Sequence, residues 1–443
     1  MPVAARTAPD AAETSSAAPV QAELAQPRTS EPCVLLKLGE IVLKGRNRQQ
    51  FEKLLQNNIR LAVGDLGSAG PGGGRGAQRV GPPTNPRFGL RLWQRDGVIV
   101  LSPVLDDAAT SEAAELAADQ IAERMLTVMG VVRVCRASRI AKDPQTAIEA
   151  AADLAKGKSG SFAVRAKRRD KSFGVNSTEL AIAIGSQVQR RYGNPVNLRF
   201  PDFTICVEVD QSEVFIYTDG CAGQGGLPVG MSGRGLVLMS GGIDSPVAGY
   251  RMMRRGLYCS FLHFSGMPLT GPESVYKAYG LVRQLDRYQR GSKLFVVAFG
   301  KAQQRLASSG SGRLQIMAQR RLMLKTAQAM AARVRATALV TGDSLGQVSS
   351  QTLANITALD EAVDLPILRP LIGMDKTEIM AEARRINTLA LSELPDQDCC
   401  SLLLPKQVET KARVADLHKI EARLDIDELA AELAAAAQEY RPG

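Results

Sequence analysis

One stretch of the chain, residues 236–249, constrains the fold more than any other. It reads Leu-Val-Leu-Met-Ser-Gly-Gly-Ile-Asp-Ser-Pro-Val-Ala-Gly, an apolar run that ends at Ser240 and is followed by two glycines. This order is typical of a buried strand that turns directly into a helix. Gly241 and Gly242 tolerate positive φ and let a ligand approach the backbone, and Pro246 suits the first helical position. The free N–H groups of such a turn favour a bound phosphate.

Strands and helices alternate from this stretch to about residue 387. Short apolar runs predict strands and longer amphipathic runs predict helices. The predicted strands are 236–239, 258–264, 293–298 and 338–341, and the predicted helices are 246–255, 273–290, 313–334 and 374–387. This alternation predicts an α/β fold, a doubly wound parallel sheet whose ligands bind beyond the carboxyl ends of the strands.

Polar sequences at these strand ends are candidate site segments. His263 and Phe264 end the second strand, where they could frame a purine, although a buried structural histidine is an equally good interpretation. Residues 341–351 follow the fourth strand and read Thr-Gly-Asp-Ser-Leu-Gly-Gln-Val-Ser-Ser-Gln, which indicates a site segment, with a plain surface loop as the alternative.

Two charged residues point to the same anion. Lys376 lies in the first turn of a predicted helix, where the helix dipole disfavours a cation unless an anion lies nearby. Asp244 lies beside the expected phosphates and would repel them unless a cation intervened. We therefore expect Asp244 to hold Mg²⁺, directly or through water.

Cysteine usage indicates a reducing compartment, the cytoplasm. The chain has seven cysteines, an odd number, and no Cys-x-x-Cys pair, which argues against a disulfide framework and a zinc site. Cys399 and Cys400 are adjacent, which is unusual because most free cysteines are buried apolar fillers. A thiolate there could attack or carry sulfur, and two incidental cysteines are the alternative.

The chain is basic, with 55 Lys and Arg against 45 Asp and Glu and a net charge of +10, which favours a polyanionic partner. A solvated face is the usual explanation of a basic cluster, but two clusters upstream of the sheet favour nucleic-acid phosphates. Their residues are Lys44, Arg46 and Arg48, and Arg165, Lys167, Arg168, Arg169 and Lys171. No apolar run is long enough to predict a membrane span.

The order of predicted elements divides the chain into five parts. The second part shows strand, helix, two strands, helix and strand, which is the ferredoxin-like order. The Gly- and Pro-rich residues 68–86 predict a flexible insertion in it. The parts are a disordered tail (1–31), a ferredoxin-like domain (32–140), an α+β domain (141–221), the α/β domain (222–408) and a helical tail (409–443).

The loop from Ser240 to Ser245 resembles the pyrophosphate loop (PP-loop) of the ATP pyrophosphatases, which have the adenine nucleotide alpha hydrolase-like fold, cleave ATP between its α and β phosphates and adenylate a substrate. From Cys33 to Gln407 the chain resembles the tRNA 4-uridine sulfurtransferases, the 4-thiouridine synthase and thiamine biosynthesis family. Seven ordered segments carry the resemblance: 39–48, 165–173, 225–230, 240–248, 341–352, 368–376 and 398–400.

The resemblance implies an RNA-binding THUMP domain at 141–221 and ATP-dependent sulfur transfer to a uridine of tRNA. ATP with Mg²⁺ would adenylate the C4 oxygen, and persulfide sulfur from a cysteine desulfurase would displace AMP. Asp244 and Lys376 match residues that the family needs for activity, and the sulfur-carrying cysteine matches Cys400, with Cys399 as the alternative. The implied ATP contacts are Leu238, Met239, His263, Phe264, Arg320 (or its neighbour Arg321), Gly342 and Gln351, beside the loop residues Ser240, Gly241, Gly242 and Ser245.

Longer family members continue into a rhodanese domain with a second sulfur-carrying cysteine, whereas here a short helical stretch follows Cys400. The chain therefore resembles the short form, and a role in thiamine thiazole synthesis stays open. One alternative is another PP-loop enzyme that adenylates a different substrate, which would not explain the basic upstream domains. The other is a non-catalytic RNA-binding protein, which the intact loop disfavours. A homodimer is compatible with the sequence.

Overall fold

The structure, a computed structural model, describes residues 30–67, 88–95, 97–106, 109–395, 403, 405 and 407–443. The predictions for the N-terminal tail and for the insertion at 68–86 lie outside these residues, except for the tail's last two positions. The pair Cys399 and Cys400 also lies outside them.

The first unit has the predicted ferredoxin-like order. Its elements are β1 (Ser30–Leu38), α1 (Arg48–Gly67), β2 (Gly89–Arg95), β3 (Val98–Val104), α2 (Ser111–Met125) and β4 (Val131–Ala141). The strands pair antiparallel in the order β2-β3-β1-β4. Alternate residues of β1 face opposite sides, so Val34 and Leu36 pack beneath the two helices while Cys33 and Leu35 face the other side of the sheet.

The second unit continues the same sheet. Its elements are α3 (Pro144–Asp153), β5 (Phe162–Arg168), α4 (Ser177–Tyr192), β6 (Phe203–Val209), β7 (Glu213–Tyr217) and β8 (Cys221–Ala222). Strand β4 pairs with β1 on one side and, through its residues 137–141, with β7 on the other. The predicted domain boundary at 140/141 therefore lies at the end of a strand that both units share.

The third unit is the predicted doubly wound sheet. Its elements are β9 (Arg234–Leu238), α5 (Asp244–Arg254), β10 (Tyr258–Ser265), α6 (Glu273–Asp286), β11 (Leu294–Ala298), α7 (Gly300–Ser308), α8 (Gln315–Val334), β12 (Ala338–Val340), α9 (Leu353–Asp360), β13 (Ile367–Leu368), α10 (Lys376–Arg385), α11 (Leu389–Ser392), α12 (Val414–Leu424), α13 (Ile426–Ala435) and β14 (Gln438–Tyr440). The strand order is β13-β12-β9-β10-β11-β14, and all pairs are parallel except β11 with β14. Helices α5, α6 and α10 cover one face and α8, α12 and α13 the other.

The segment predicted as a helical tail, 409–443, is an integral part of this unit. Leu417 of α12 and Leu429 of α13 are buried in the core that α8 also lines. Strand β14 adds an antiparallel edge to the sheet. The helices are as predicted, but they are not a separate tail.

The described residues contain no membrane-spanning helix and no disulfide bond. None of their helices combines the length and apolar character that a membrane crossing requires. Their five cysteines, at positions 33, 135, 206, 221 and 259, are all free thiols.

Candidate nucleotide site at the carboxyl ends of the strands

A cleft of about 480 Å³ opens at the carboxyl ends of β9, β10 and β12, where the sequence predicts the ligand site. Its volume is in the range of small-molecule sites. Nine of the predicted site residues line it: Leu238, Met239, Ser240, Asp244, Ser245, Phe264, Arg320, Gly342 and Gln351. Gly241, Gly242, His263 and Lys376 do not line it.

Two serine hydroxyls hold the loop between β9 and α5 in shape. The backbone N–H of Ser240 donates to Oγ of Ser245 at 3.0 Å, and the N–H of Gly242 donates to Oγ of Ser240 at 3.2 Å. Neither Gly241 nor Gly242 has a positive φ, so the conformational reason expected for these glycines does not apply. Helix α5 begins at Asp244, which places Pro246 third rather than first in the helix. The turn is therefore preformed by its own hydroxyls.

Gly342 lets the loop helix approach strand β12. A Cβ on Gly342 would lie 2.8 Å from the backbone N of Ser245 and 2.9 Å from the carbonyl carbon of Asp244. Such contacts with backbone atoms are closer than van der Waals packing permits. The glycine is therefore required by the close approach of the two segments at the cleft.

Asp244 and Lys376 form an ion pair at the rim of the cleft. The Nζ of Lys376 lies 2.7 Å from Oδ1 of Asp244, and Gln347 donates through Nε2 to Oδ2 at 2.9 Å. Lys376 lies in the first turn of its helix, as predicted, and is the first residue of α10, two residues after the predicted start. The carboxylate of Asp244 supplies the anion that a cation at this position needs. The pair joins the first turns of α5 and α10.

The same contacts bear on the predicted Mg²⁺ site, because a metal ligand needs an available oxygen. Both carboxylate oxygens of Asp244 accept hydrogen bonds from protein groups. No cluster of three metal-binding side chains exists in the part of the chain that the structure describes. Asp244 and the other described residues therefore do not form a metal site of their own.

Arg320, not Arg321, belongs to the cleft. Arg320 lines it and lies 2.6 Å from Oδ1 of Asp343. Arg321 points into the core, where its side chain is 1% exposed and pairs with Glu421 and Glu361. The adjacent arginines thus have separate roles, since one contacts the cleft and the other anchors α8 to α12.

Asp343 is a cleft residue that the sequence patterns did not predict. Burial by itself would raise the pKa of Asp343, but the positive charges of Arg320 and Arg369 and a hydrogen bond from Thr341 hold that pKa below its usual value. The carboxylate is therefore ionised and lies at the wall of the cleft. An acid within the segment 341–351 is the signal that could have identified it.

The ring of His263 is buried and does not face the cleft. The residue is 1% exposed, with Nδ1 2.9 Å from the carbonyl oxygen of Met239 and Nε2 3.2 Å from Oγ of Ser274. Because a carbonyl only accepts, Nδ1 carries the proton in that contact. Its side chain thus links β9 to α6, and only its neighbour Phe264 provides a wall of the cleft.

The two basic clusters are only partly available to a polyanion. Lys44 pairs with Glu40 and Arg48 with Glu52, whereas Arg46 is exposed. Arg168 donates to the carbonyl oxygens of Phe173 and Val175 and so braces the loop after β5. The remaining members are Arg165, Lys167 and Lys171, which are exposed, and Arg169, which is half-buried.

Comparison with known proteins gives consistent matches along the chain. Residues 230–426 match the family described as Thiamine biosynthesis protein (ThiI), residues 145–219 match the THUMP domain, and residues 33–72 match the ThiI ferredoxin-like domain. A probable tRNA sulfurtransferase of Nocardia farcinica is 46% identical over 90% of this chain and 91% of its own length. A probable tRNA sulfurtransferase of Thermus thermophilus is 39% identical over 90% and 92%.

A solved structure agrees with these relatives. The crystal structure of a 4-thiouridine synthetase–RNA complex with bound ATP has a TM-score of 0.77 and 27% identity, over 93% of this chain and 99% of that one. Together with the cleft and its loop, these matches show that the chain belongs to the tRNA sulfurtransferase (ThiI) family.

Proposed function

We propose that this protein transfers sulfur to a uridine of tRNA to give 4-thiouridine, in a reaction that converts ATP to AMP and pyrophosphate. The observation that carries the proposal is the preformed loop from Ser240 to Ser245 in a cleft of nucleotide size. The names of the relatives, and the RNA and ATP of the similar crystal structure, support it.

The cleft suits the two ends of ATP. Leu238, Leu262, Phe264 and Met323 supply an apolar wall, against which a purine can pack. The loop lies at the N-terminus of α5, where backbone N–H groups and the helix dipole attract phosphates. The base therefore faces the apolar side and the phosphates face the loop.

In the first step the C4 oxygen of uridine attacks the α-phosphorus. A bond forms between that oxygen and phosphorus, the bond to the pyrophosphate oxygen breaks, and the N3 proton of the uracil is released to solvent. Negative charge develops on the leaving oxygen and on the phosphoryl oxygens. Lys376 stabilises that charge from the rim of the cleft, where the carboxylate of Asp244 holds its ammonium group in place. Mg²⁺ stays a prediction, as a companion of the ATP phosphates.

In the second step the terminal sulfur of a cysteine persulfide attacks C4, the C–S bond forms, and AMP leaves with the former C4 oxygen. A second thiolate then attacks the carrier cysteine's sulfur, so the S–S bond breaks, a disulfide forms between the two cysteines, and 4-thiouridine is released with a proton taken up at N3. We assign the sulfur chemistry to Cys400, with Cys399 as the alternative, and a cysteine desulfurase as the persulfide donor. Described residues on both sides of this pair support the assignment. Ser392 donates to the carbonyl oxygen of Gly242 at 3.4 Å, and Val408 lines the cleft.

Arg165 and Lys167 are the best placed of the basic residues for tRNA phosphates. They lie two positions apart on β5, which forms an edge of its sheet, so both side chains leave the same face. Contacts of this kind give affinity that falls with rising salt. We therefore expect Arg165→Ala and Lys167→Ala to weaken tRNA binding and leave ATP binding unchanged.

Variants of the ion pair test the proposal. Purified protein, tRNA, ATP and a persulfide donor are incubated, and nucleosides of the digested tRNA are measured by mass spectrometry. Asp244→Ala and Lys376→Ala are expected to abolish 4-thiouridine formation, because Lys376 stabilises the developing charge and Asp244 holds Lys376 in place. Asp427→Ala is the matched control, since it breaks an ion pair with Lys325 and neither residue lines the cleft. Thiolation at the wild-type rate by Lys376→Ala would contradict the assigned role.

A further inference from the structure

The carboxylate of Asp343 connects two residues that line the cleft. Its Oδ1 accepts hydrogen bonds from Nη2 of Arg320 at 2.6 Å and from Nε2 of Gln351 at 3.2 Å. Its Oδ2 accepts from Oγ1 of Thr341 at 2.8 Å and from Nε of Arg369 at 3.3 Å. The side chain of Asp343 is 5% exposed, so these four partners share one charge away from water.

This arrangement decides which way the amide of Gln351 is turned. An ionised carboxylate only accepts hydrogen bonds, so the amide must present its NH₂ group to Asp343 and turn its carbonyl oxygen, Oε1, away. That Oε1 is buried and has no hydrogen-bond partner in the described part of the chain. A buried acceptor without a partner is unfavourable, and in native proteins it indicates a ligand or a water.

The guanidinium of Arg320 is fixed by the same carboxylate. Its Nη2 donates to Asp343, and its Nη1 lies 3.4 Å from the carbonyl oxygen and 3.3 Å from Oγ of Ser350. Arg369 contacts the other oxygen of the carboxylate. Without the negative charge of Asp343, the two guanidinium groups would lose the anion that both of them contact.

We propose that Asp343 is a positioning residue of the nucleotide site, which holds Gln351 so that its Oε1 accepts a hydrogen bond from a neutral N–H or O–H donor of the nucleotide. The inference rests on the proposed function in that the nucleotide is ATP. Two groups of ATP have this chemistry, the 6-amino group of adenine and the ribose hydroxyls. Asp343 acts through Gln351 and Arg320, and Gln351 discriminates the nucleotide.

Calorimetric titration of nucleotides into the full chain, without tRNA, tests Gln351 first. Gln351→Met keeps the length of the side chain and removes the acceptor. The affinity for ATP is expected to fall about tenfold, the effect of one hydrogen bond. Purine riboside triphosphate, 2′-deoxyATP and 3′-deoxyATP each lack one donor. One of these analogues lacks the donor that binds Oε1, and it is expected to bind the wild type and Gln351→Met with equal affinity. The other two are expected to bind the wild type about tenfold more tightly than Gln351→Met.

Asp343→Asn tests the positioning role. An asparagine amide can turn either its nitrogen or its oxygen toward Gln351, so the orientation of Gln351 is no longer imposed. The variant is expected to lose the same difference in affinity between ATP and the analogues that Gln351→Met loses. Combining the two changes is expected to reduce that difference no further. Asp360→Asn is the matched control, because Asp360 pairs with Arg369 from a half-exposed position outside the cleft, and its nucleotide affinities are expected to match the wild type.

Three results would overturn the inference. The first is wild-type ATP affinity in Gln351→Met, and the second is an equal loss for ATP and all three analogues, as a purely structural role predicts. The third is wild-type discrimination among the analogues in Asp343→Asn. The first two can be measured even if Asp343→Asn does not fold. Wild-type protein that shows the expected selectivity for ATP but forms no 4-thiouridine would contradict the proposed function and leave this inference standing.

Discussion

Gly342→Ala tests whether the close approach of β12 to the loop helix shapes the nucleotide site. The new Cβ would lie 2.8 Å from the backbone N of Ser245, so the segments must separate by about 0.6 Å to reach the 3.4 Å of ordinary contact. Because the atoms it meets belong to the backbone, side-chain rotation cannot relieve the overlap. Overpacking of this kind costs about 1–3 kcal/mol of folding free energy. Since a displacement of 1 Å can reduce a rate about 100-fold, we expect kcat/KM for ATP to fall at least tenfold.

The free energy of unfolding from urea titration and the ATP dependence of tRNA thiolation measure the two effects. Gly185→Ala is the control, because a Cβ on that residue of α4 meets nothing within 4 Å. Alanine in the interior of a helix is expected to stabilise the protein by about 0.5–1 kcal/mol, with no change in kcat/KM. A Gly342→Ala variant with both the stability and the kcat/KM of the wild type would refute the claim that this close approach shapes the nucleotide site.

Two further predictions separate structural from functional charges. Arg321→Met breaks a buried ion pair with Glu421 and is expected to destabilise the protein by about 3–5 kcal/mol in urea titration. Arg320→Met should destabilise it less, because Asp343 keeps Arg369 as a charged partner, and it should weaken ATP binding measured by calorimetry. The reverse pattern would show that the two arginines are misassigned. Hydrogen bonds from Arg255 and Lys44 lower the pKa of Glu40 from 4.5 to about 2, so their stabilising effect is complete above pH 4.5 and is lost as the pH falls toward 2. Because Glu40 is partly exposed, the effect is small. Between pH 4.5 and pH 2 the unfolding temperature should change less with pH in Glu40→Gln than in the wild type. An equal change in both proteins would contradict the assignment.

The fold was largely predictable because it depends on periodicity and on one short motif. Short apolar runs identified the parallel strands β9, β10, β11 and β12 but not the two-residue strand β13, and the glycine-rich loop after Met239 identified the edge where the cleft lies. Strand β14 was missed because its three residues follow an Ala-rich helix and carry no apolar alternation. The sharing of β4 between two units was missed because pairing between distant strands leaves no local signal.

The site was predicted less completely, for a physical reason. Position along the chain placed Asp244, Lys376 and Gln351 near the strand ends, but it could not say which side chains face the cleft. His263 shows this limit, because the strand end was correct while the ring points between β9 and α6. Asp343 shows the converse, since its importance lies in four partners that only the folded chain brings together.

The central claim, that the C4 oxygen of a tRNA uridine is adenylated, has a direct isotopic test. The tRNA substrate carries ¹⁸O at C4 of its uridines, and the AMP formed during one turnover is analysed by mass spectrometry. The account predicts one ¹⁸O atom in AMP for each 4-thiouridine made, because AMP leaves with the former C4 oxygen. AMP without ¹⁸O, at the same yield of 4-thiouridine, would contradict it.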